Sequence, residues 1–561
     1  MSKRFVIVFS LFLLSFLAIN LKLFQWQILK ADTLVALAKS QSQTSFWLTP
    51  QRGDILASDG FPLATNKMAY VLFARPGDMK DKDVESQLLA TVLDVSLATV
   101  SARLSTTSAW VPLDWHLPEA QKEQLDKLQL AGVGFDENPT RFYPEGSMAA
   151  QLVGFVGKDS AGVDTGYFGL EGYYDRQLKG RTVLATVVKD ALNRPILSKT
   201  DDNIDETTGR TLQLHIDRTI QYDVEQKLLS GVEKYGAASG LAAVMDSHTG
   251  AILAMASFPN FNPSDFWDFD PASFRNPFVS DTYEPGSTFK PLVMAWAIDH
   301  GLVTPSTQCD TCSGPVTIGD ATIHTWDDKY FPNTTMTEVI QHSDNTGMVY
   351  VAQKMKLDGM LSMLHDFHFD QLTGVDLQGE AEAQIHDKNN WYPVDLATAG
   401  FGQGLAVTPI QLLTAFNSLA NDGIIMEPQV VASIQKEDGT TIDIQPKELG
   451  QSVSSTTTKV MREMLVNAVN KGEASFARVK GYRIAGKTGT ASVAVAGGYN
   501  DPRTIASFIG YAPADDPKFT MLVILHEPAS SIYGAETAAP IFFSIAKDIF
   551  TYWHILPTVN E

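Results

Sequence analysis

Three times in its 561 residues the chain sets a serine three positions ahead of a lysine: Ser287/Lys290, Ser433/Lys436 and Ser544/Lys547. The pairing matters because a serine hydroxyl attacks a carbonyl carbon only when a base within hydrogen-bond reach takes its proton. Lysine can be that base if burial and a neighbouring cation keep its amine neutral. Spacing alone does not distinguish such a pair from two ordinary residues, so the secondary structure expected around each must choose.

Ser544/Lys547 lies inside an amphipathic pattern, "AAPIFFSIAKDIFTYW", where Lys547 fits a solvated face and Ser544 has no partner close in sequence. Ser433/Lys436 lies in "VVASIQKEDGTTIDI", a hairpin pattern, and residues i and i+3 of a strand point to opposite faces. "EPGSTFKPLVMAWAID", from Glu284 to Asp299, differs from both. Pro285 and Gly286 end an extended stretch, and a helix starting there carries Ser287 and Lys290 one turn apart on one face. Its N-terminus offers unpaired N–H groups and the positive end of the helix dipole, both useful where an oxyanion develops. A serine at a helix start is equally a common N-cap. Two more short stretches bear on the choice, "HSDNTG" with Ser343-Asp344-Asn345 and "AGKTGTA" with Lys487-Thr488-Gly489 followed by Thr490. Singly, Ser343 and Asn345 read as turn or cap residues, and Thr488 and Thr490 as strand residues.

The elements that must hold these residues follow from hydrophobic period. "TLQLHID" alternates as a strand, "TIQYDVEQKLLSGVEKYG" has the spacing of an amphipathic helix, and "GLAAVMDSHTGAILAMAS" reads as two strands around a turn at Asp246 to Gly250. A second domain is therefore expected to open as strand, helix, hairpin. Helical segments follow ("MTEVIQHSDNTGMVYVAQKM", "VTPIQLLTAFNSLAND", "TTTKVMREMLVNAVNKG"), and two strands ("RTIASFIGYA", "KFTMLVILHE") precede the final helix. This pattern predicts an α+β fold, a sheet with helices packed on it. From Ala31 to Asp202 short strands mix with polar helices, which predicts an elongated membrane-proximal module. "SKTDDNIDETTGR", Ser198 to Arg210, reads as a linker or exposed loop. His248, His324 and His342 fall in no nucleophile–base arrangement and read as structural or surface residues.

Composition excludes several functions. Net charge is −21, from 43 Lys plus Arg against 64 Asp plus Glu, and no local basic patch offsets it, so no nucleic-acid partner is expected. The two cysteines, Cys309 and Cys312, make half of a zinc ribbon with no second pair, so no metal is expected. A local disulfide, a redox pair or two small loop residues remain open. At the N-terminus, Lys3 and Arg4 precede the uncharged run Phe5 to Leu21, at the lower end of the ~17–25 residues that span a bilayer. The run is longer than a secretory signal's apolar region and no A-x-A cleavage site follows, so it is expected to stay as an anchor. The positive-inside rule puts residues 1–4 in the cytoplasm and everything after about Phe24 outside.

S-x-x-K, S-D-N and K-T-G in that order, at a helix start, a helix connection and a strand, are together the signature of penicillin-binding proteins and class A β-lactamases. The chain resembles a class B penicillin-binding protein, and the resemblance extends to "RGDILASDGFPLA", "RFYPEGSMAAQLVGFVG" and "GYFGLEGYYDRQLKG", which are similar to the family's pedestal motifs. "ASFPNFNP" and "GFGQGLAVTPIQL" are similar to segments around the family's active site. The resemblance implies a cytoplasmic tail (1–4), a transmembrane signal anchor (5–24), a pedestal or dimerisation-like domain (25–202) and a transpeptidase domain (203–555), the last an antiparallel sheet between helices as in serine β-lactamases. Arg52-Gly53-Asp54 then belongs to the pedestal and is not an integrin ligand.

The activity implied is that of a D,D-transpeptidase on peptidoglycan stem peptides ending in D-Ala-D-Ala, without a cofactor. Ser287 would be the nucleophile, Lys290 its base and Ser343 a proton bridge to the leaving amine. Asn345 would hold the donor backbone, Lys487, Thr488 and Thr490 the substrate carboxylate, and Gly489 would let the strand approach the substrate. Backbone N–H groups of Ser287 and Thr490 would form the oxyanion hole. β-Lactams would acylate Ser287. The pedestal stretches, "YPEG" among them, favour the division, FtsI-like type over the elongation type, with a SEDS-type glycosyltransferase and other division proteins as partners. The alternatives are a D,D-carboxypeptidase, a β-lactam-binding sensor or resistance protein of the same fold, and a non-catalytic division scaffold. A class A hydrolase would add Glu-x-x-x-Asn after S-D-N; the match at Glu463 to Asn467 sits far along in an amphipathic helix and reads as accidental.

Overall fold

A computed structural model describes residues 2–48, 51–106, 108–160, 162–181, 183–189, 195–196, 208–436, 438–493 and 503–558. Of the expected linker, residues 198–207 lie outside the described residues. The chain divides into two compact units, residues 1–51 with 179–209, and residues 52–178 with 210–561.

In the first unit the apolar run forms a helix, Lys3–Phe24, continued by a π-helical turn, Gln25–Leu29. Together they are long and apolar enough to cross a membrane, and none of the window's residues is buried against protein. A helix, Ala31–Ser42, and a three-stranded antiparallel sheet ordered Gln43–Leu48, Val183–Lys189, Pro195–Ile196 complete the described elements of this unit.

The second unit is built around a five-stranded antiparallel sheet. Its order is Ile252–Phe258, Ser239–Asp246, Phe519–His526, Thr504–Ala512, Ala485–Ser492, so the strand carrying Lys487 to Thr490 is an edge. Alternation assigns the two faces. Ala242, Val244, Met521, Val523 and Leu525 pack on one side against the helices Arg218–Tyr235 and Ala538–Tyr552. Leu241, Ala243, Met245, Leu522 and Ile524 pack on the other, against Lys290–Asp299, Asn345–Asp366, Pro409–Ala420 and Ser455–Lys471. The expected α+β arrangement, an antiparallel sheet sandwiched by helices, is what forms. Asp217 starts the first of these helices by accepting the N–H groups of Thr219 and Ile220 at 2.9 and 3.1 Å, and Gly236, at φ +61°, ends it.

The strand Thr211–Leu214 departs from expectation. It does not open the main sheet; it joins a separate mixed sheet ordered Thr441–Asp443, Val431–Gln435, Thr211–Leu214, Ile55–Leu56, Pro62–Lys67, Thr140–Phe142. Leu212 pairs in parallel with Ile55 and antiparallel with Ile434. Residues 52–178 are thereby tied into the same unit as the main sheet. The sequence division at 202/203 does not coincide with these compact units, because a four-residue strand carries no mark of its partners.

"CDTC" forms a disulfide, Cys309–Cys312, with both residues fully buried. The Arg52 side chain is only 9% exposed, its guanidinium paired with Glu171 at 2.5 Å and Asp175 at 2.7 Å, so Arg-Gly-Asp does not present its arginine as a surface ligand. Ser433 lies on the strand Val431–Gln435, with Lys436 just past its end, and Ser544 and Lys547 lie on the final helix.

Candidate active site

The serine of the remaining pair is held by a tight turn. Gly286–Thr288 form one 3-10 turn ahead of the α-helix Lys290–Asp299, so Ser287 precedes the helix instead of sitting in its first turn. Gly286 takes φ +55°, its N–H donates to Gly402 O at 2.9 Å, and Thr288 Oγ1 donates to Pro285 O at 2.6 Å. The helix that follows is buried nearly all round, as its apolar sequence requires. Leu292 and Val293, both fully buried, each contribute about 1.5–3 kcal/mol to holding it.

Ser343 and Asn345 arrive from the junction of two helices, Met336–Gln341 and Asn345–Asp366. Asp344 caps the second, accepting from the N–H groups of Thr346 (2.8 Å) and Gly347 (3.2 Å). Ser343 is forced into the left-handed region, φ +56°, a strained conformation for a serine and one typical of functional sites.

These elements converge on the Lys290 amine, which is fully buried. Nζ donates to Ser343 O at 2.6 Å and to Asn345 Oδ1 at 2.7 Å, and lies 3.3 Å from Ser343 Oγ. Ser343 Oγ in turn donates to Ser287 Oγ at 2.9 Å. Among the described residues Lys290 therefore reaches Ser287 through Ser343. Burial, and next the Lys487 charge, lower the Lys290 pKa to about 7, against the opposing pull of Asp344 and Glu473. Burial also lowers that of Lys487, with Glu473 opposing.

Lys487, Thr488, Gly489 and Thr490 lie on the edge strand Ala485–Ser492. Lys487 Nζ donates to Thr488 Oγ1 at 3.0 Å, and Thr488 Oγ1 donates to Glu473 Oε2 at 3.0 Å. Thr490 Oγ1 accepts from Gly534 N at 3.1 Å. Gly489 is packed so closely that a Cβ there would overlap Ser507 Oγ and come within 2.8 Å of Thr288 Cγ2, so the strand lies directly on the Ser287 turn. Asn345 is engaged at both ends of its amide, since Nδ2 donates to His324 O at 2.9 Å.

The walls of the site carry no motif in the sequence. A cleft of about 490 Å³ opens beside these residues, lined in part by Trp326, Phe331, His342, Glu473, Phe476 and Tyr533. Trp326 meets Tyr533 edge-on at 5.5 Å, and Phe331 stacks on His342 at 4.8 Å. These are single aromatic and polar residues on loops and helix ends, with no periodicity or spacing to mark them. His342, read as structural or surface, is part of this wall, while His248 lies against Asn421 in the turn after Asp246. Glu463 and Asn467 bind Arg483 and Gln341, as suits helix-surface residues.

Comparison with known proteins agrees with this geometry. Residues 240–549 match the penicillin binding protein transpeptidase domain, and residues 48–214 the penicillin-binding protein dimerisation domain. Stage V sporulation protein D of Bacillus subtilis is 33% identical, over 100% of this chain and 87% of its own length. The peptidoglycan D,D-transpeptidase FtsI of Escherichia coli is 31% identical, over 99% of this chain and 93% of its own. Among solved structures, penicillin binding protein 3 of Mycobacterium tuberculosis complexed with aztreonam aligns with a TM-score of 0.70 at 26% identity, covering 92% of this chain and 98% of that one. A peptidoglycan synthetase from Bifidobacterium adolescentis aligns at 0.72 with the same identity and coverage. With the three motifs gathered at one buried lysine and both domain families matched, the chain belongs to the class B penicillin-binding proteins, the penicillin-sensitive serine D,D-transpeptidases.

Proposed function

We propose that this chain crosslinks peptidoglycan stem peptides in septal wall synthesis, with Ser287 as the acylated nucleophile. The observation that carries the proposal is the hydrogen-bonded path from Lys290 through Ser343 to Ser287. A neutral lysine amine has two N–H donors and one lone pair. Its two short contacts are to oxygens that only accept, Ser343 O and Asn345 Oδ1, which leaves the lone pair for Ser343 Oγ. With both hydroxyls rotated, the Ser287 proton passes to Ser343 as Ser343 passes its own to Lys290. Ser287 Oγ forms its bond to the penultimate D-Ala carbonyl carbon, and the oxyanion is held by the Ser287 and Thr490 N–H groups. The C–N bond then breaks, the proton returns through Ser343 to the departing amine, and D-alanine leaves an ester on Ser287. An amine from a second stem peptide attacks that ester, and Ser287 recovers its proton. The ester conserves the energy of the broken amide, so no nucleotide is needed. A β-lactam acylates the same oxygen.

Lys487, Thr488 and Thr490 hold the substrate carboxylate in this reading, and Asn345 orients the donor after releasing His324 O. The N-terminal helix anchors the protein in the membrane once, with residues 1–4 in the cytoplasm and the catalytic segment on the far side. A SEDS-type glycosyltransferase supplies the glycan, and other division proteins bind the pedestal. The division role rests on the pedestal stretches; the sporulation and FtsI relatives are too close in identity to choose between.

The test is labelling of the full-length protein in detergent with a fluorescent penicillin. Ser287→Ala loses covalent label; a variant that keeps it sinks the assignment. Supplied with nascent glycan and its polymerase, the wild type yields crosslinked peptide dimers, whereas release of D-alanine with no dimers would make it a carboxypeptidase.

A further inference from the structure

Glu473 is the one acidic side chain hydrogen-bonded, among the described residues, to the strand segment Lys487 to Thr490, and none of the three motifs includes it. The helix Ser455–Lys471 ends at Gly472, and Glu473 follows, half-buried, between that helix end and the edge strand, on the wall of the 490 Å³ cleft. A helix C-terminus carries partial negative charge and disfavours a carboxylate. What holds this one is the pair Lys487 and Thr488.

The Thr488 hydroxyl has a single proton. Lys487 Nζ donates to its oxygen at 3.0 Å, and the proton goes to Glu473 Oε2 at 3.0 Å. A substrate carboxylate needs that same proton, because it can only accept. Thr490 differs: its oxygen accepts from Gly534 N, and its proton is not committed to a carboxylate in the same way. Glu473 thus stands where the anionic end of a donor would engage Thr488, and two carboxylates cannot share one hydroxyl proton without repulsion.

We propose that Glu473 is a resident competitor for the Thr488 hydroxyl, which must swing into the cleft, towards Lys471 on the same wall, for the donor's terminal carboxylate to bind. The inference rests on the reading that Thr488 holds that carboxylate. Its consequence is directional. Once D-alanine is released, Glu473 retakes Thr488, so the freed amino acid is held weakly and the acyl-enzyme waits for an amine and not for reversal. Glu473 is here a specificity-determining residue, setting the affinity for an anionic group without touching the reacting atoms.

The experiment compares the noncovalent dissociation constant and the limiting acylation rate of full-length wild type, Glu473→Gln, Glu473→Ala and Thr488→Val. The probes are benzylpenicillin, which carries the carboxylate, and its methyl ester, which does not. Like charges at this range differ by roughly tenfold in binding at intermediate dielectric. Measured well above the Lys290 pKa of about 7, where the amine is neutral with or without the Glu473 charge beside it, both Glu473 variants are expected to bind benzylpenicillin about tenfold more tightly, with the limiting rate little changed and the ester unaffected. Equal gains for acid and ester, or weaker binding of the acid, would overturn the proposal. If Thr488→Val leaves benzylpenicillin binding intact, the underlying reading of Thr488 fails; if Thr488→Val weakens it and Glu473→Gln brings no gain, the competitor alone fails.

Discussion

At the scale of single residues, the buried lysine sets a pH dependence whose sign can be worked out. In the proposed reaction Lys290 must be neutral to take a proton, and its pKa of about 7 then places the rising limb of acylation near that pH, since the amine is protonated below it. Lys487 is the named charge that lowers this pKa after burial. Removing a neighbouring cation favours the protonated form, so Lys487→Met moves the limb to higher pH. Penicillin labelling rates measured across pH for both proteins check this; an unmoved or downward-moving limb would show that Lys487 does not act on Lys290. The motif set named both lysines, Lys290 as base and Lys487 as a partner of the substrate carboxylate, and a base of this kind is expected to need a neighbouring cation. It did not reveal Glu473, whose partner Thr488 is 15 residues away across a helix end and a turn. The motif set did imply Ser343 as a proton bridge beside Lys290, but not that Ser343 would also stand between Lys290 and Ser287, nor that the amine would be drawn onto Asn345. Such contacts depend on where side chains meet after folding.

At the scale of elements, two packed surfaces bring the lysine-bearing strand and the serine turn together, and glycine is what lets them touch. A Cβ on Gly489 would overlap Ser507 Oγ and press on Thr288, pushing the edge strand off the turn that holds Ser287. Gly489→Ala is therefore expected to cost about 1–3 kcal/mol of stability by overpacking. It should also slow acylation roughly a hundredfold, because displacements near 1 Å misalign reacting groups. Thermal unfolding and labelling rates measured together test both; a destabilised variant that acylates at the wild-type rate would separate this strand's packing from the chemistry. Here the sequence was informative. Helical and strand periods eliminated Ser433/Lys436 and Ser544/Lys547; Ser433 lies on the expected strand with Lys436 just past its end, and Ser544 and Lys547 lie on the expected helix. The error at Ser287 was local: the 3-10 turn before Lys290 is too short to leave a period, and only Pro285 and Gly286 marked it.

At the scale of the second unit, the segment 52–178 and the catalytic segment share one sheet, and long-range polar contacts reinforce the join. Asp376 accepts the N–H groups of Val430 and Val431 at 2.7 and 2.9 Å and the Tyr174 hydroxyl at 3.0 Å. Phe155 stacks on Phe266 at 4.2 Å and meets Phe274 edge-on at 4.9 Å. None of these contacts, of which Tyr174–Asp376, Phe155–Phe266 and Phe155–Phe274 each span more than 100 residues, has a sequence signature, and the stretch Ser198–Arg210 accordingly read as a linker or exposed loop ahead of a second domain. Beside this join sits a buried carboxylate, Glu171, with no exposure, bridging Arg52 at 2.5 Å and Arg141 at 2.6 Å. Neutralising it strands two buried guanidinium groups with only Asp175 as counter-charge, and breaking a buried pair in this way costs about 3–5 kcal/mol. Because the strand Ile55–Leu56 pairs with Thr211–Leu214, that loss is transmitted into the catalytic segment. Glu171→Gln is thus expected to lower by several degrees the temperature at which penicillin labelling disappears, although Glu171 belongs to no catalytic motif. Tryptophan fluorescence, reporting in part on Trp110 and Trp115 in the 52–178 segment, should fall in the same transition. Were the variant to lose that fluorescence early and keep labelling to the wild-type temperature, the two segments would be folding independently and the shared sheet would carry no energetic coupling.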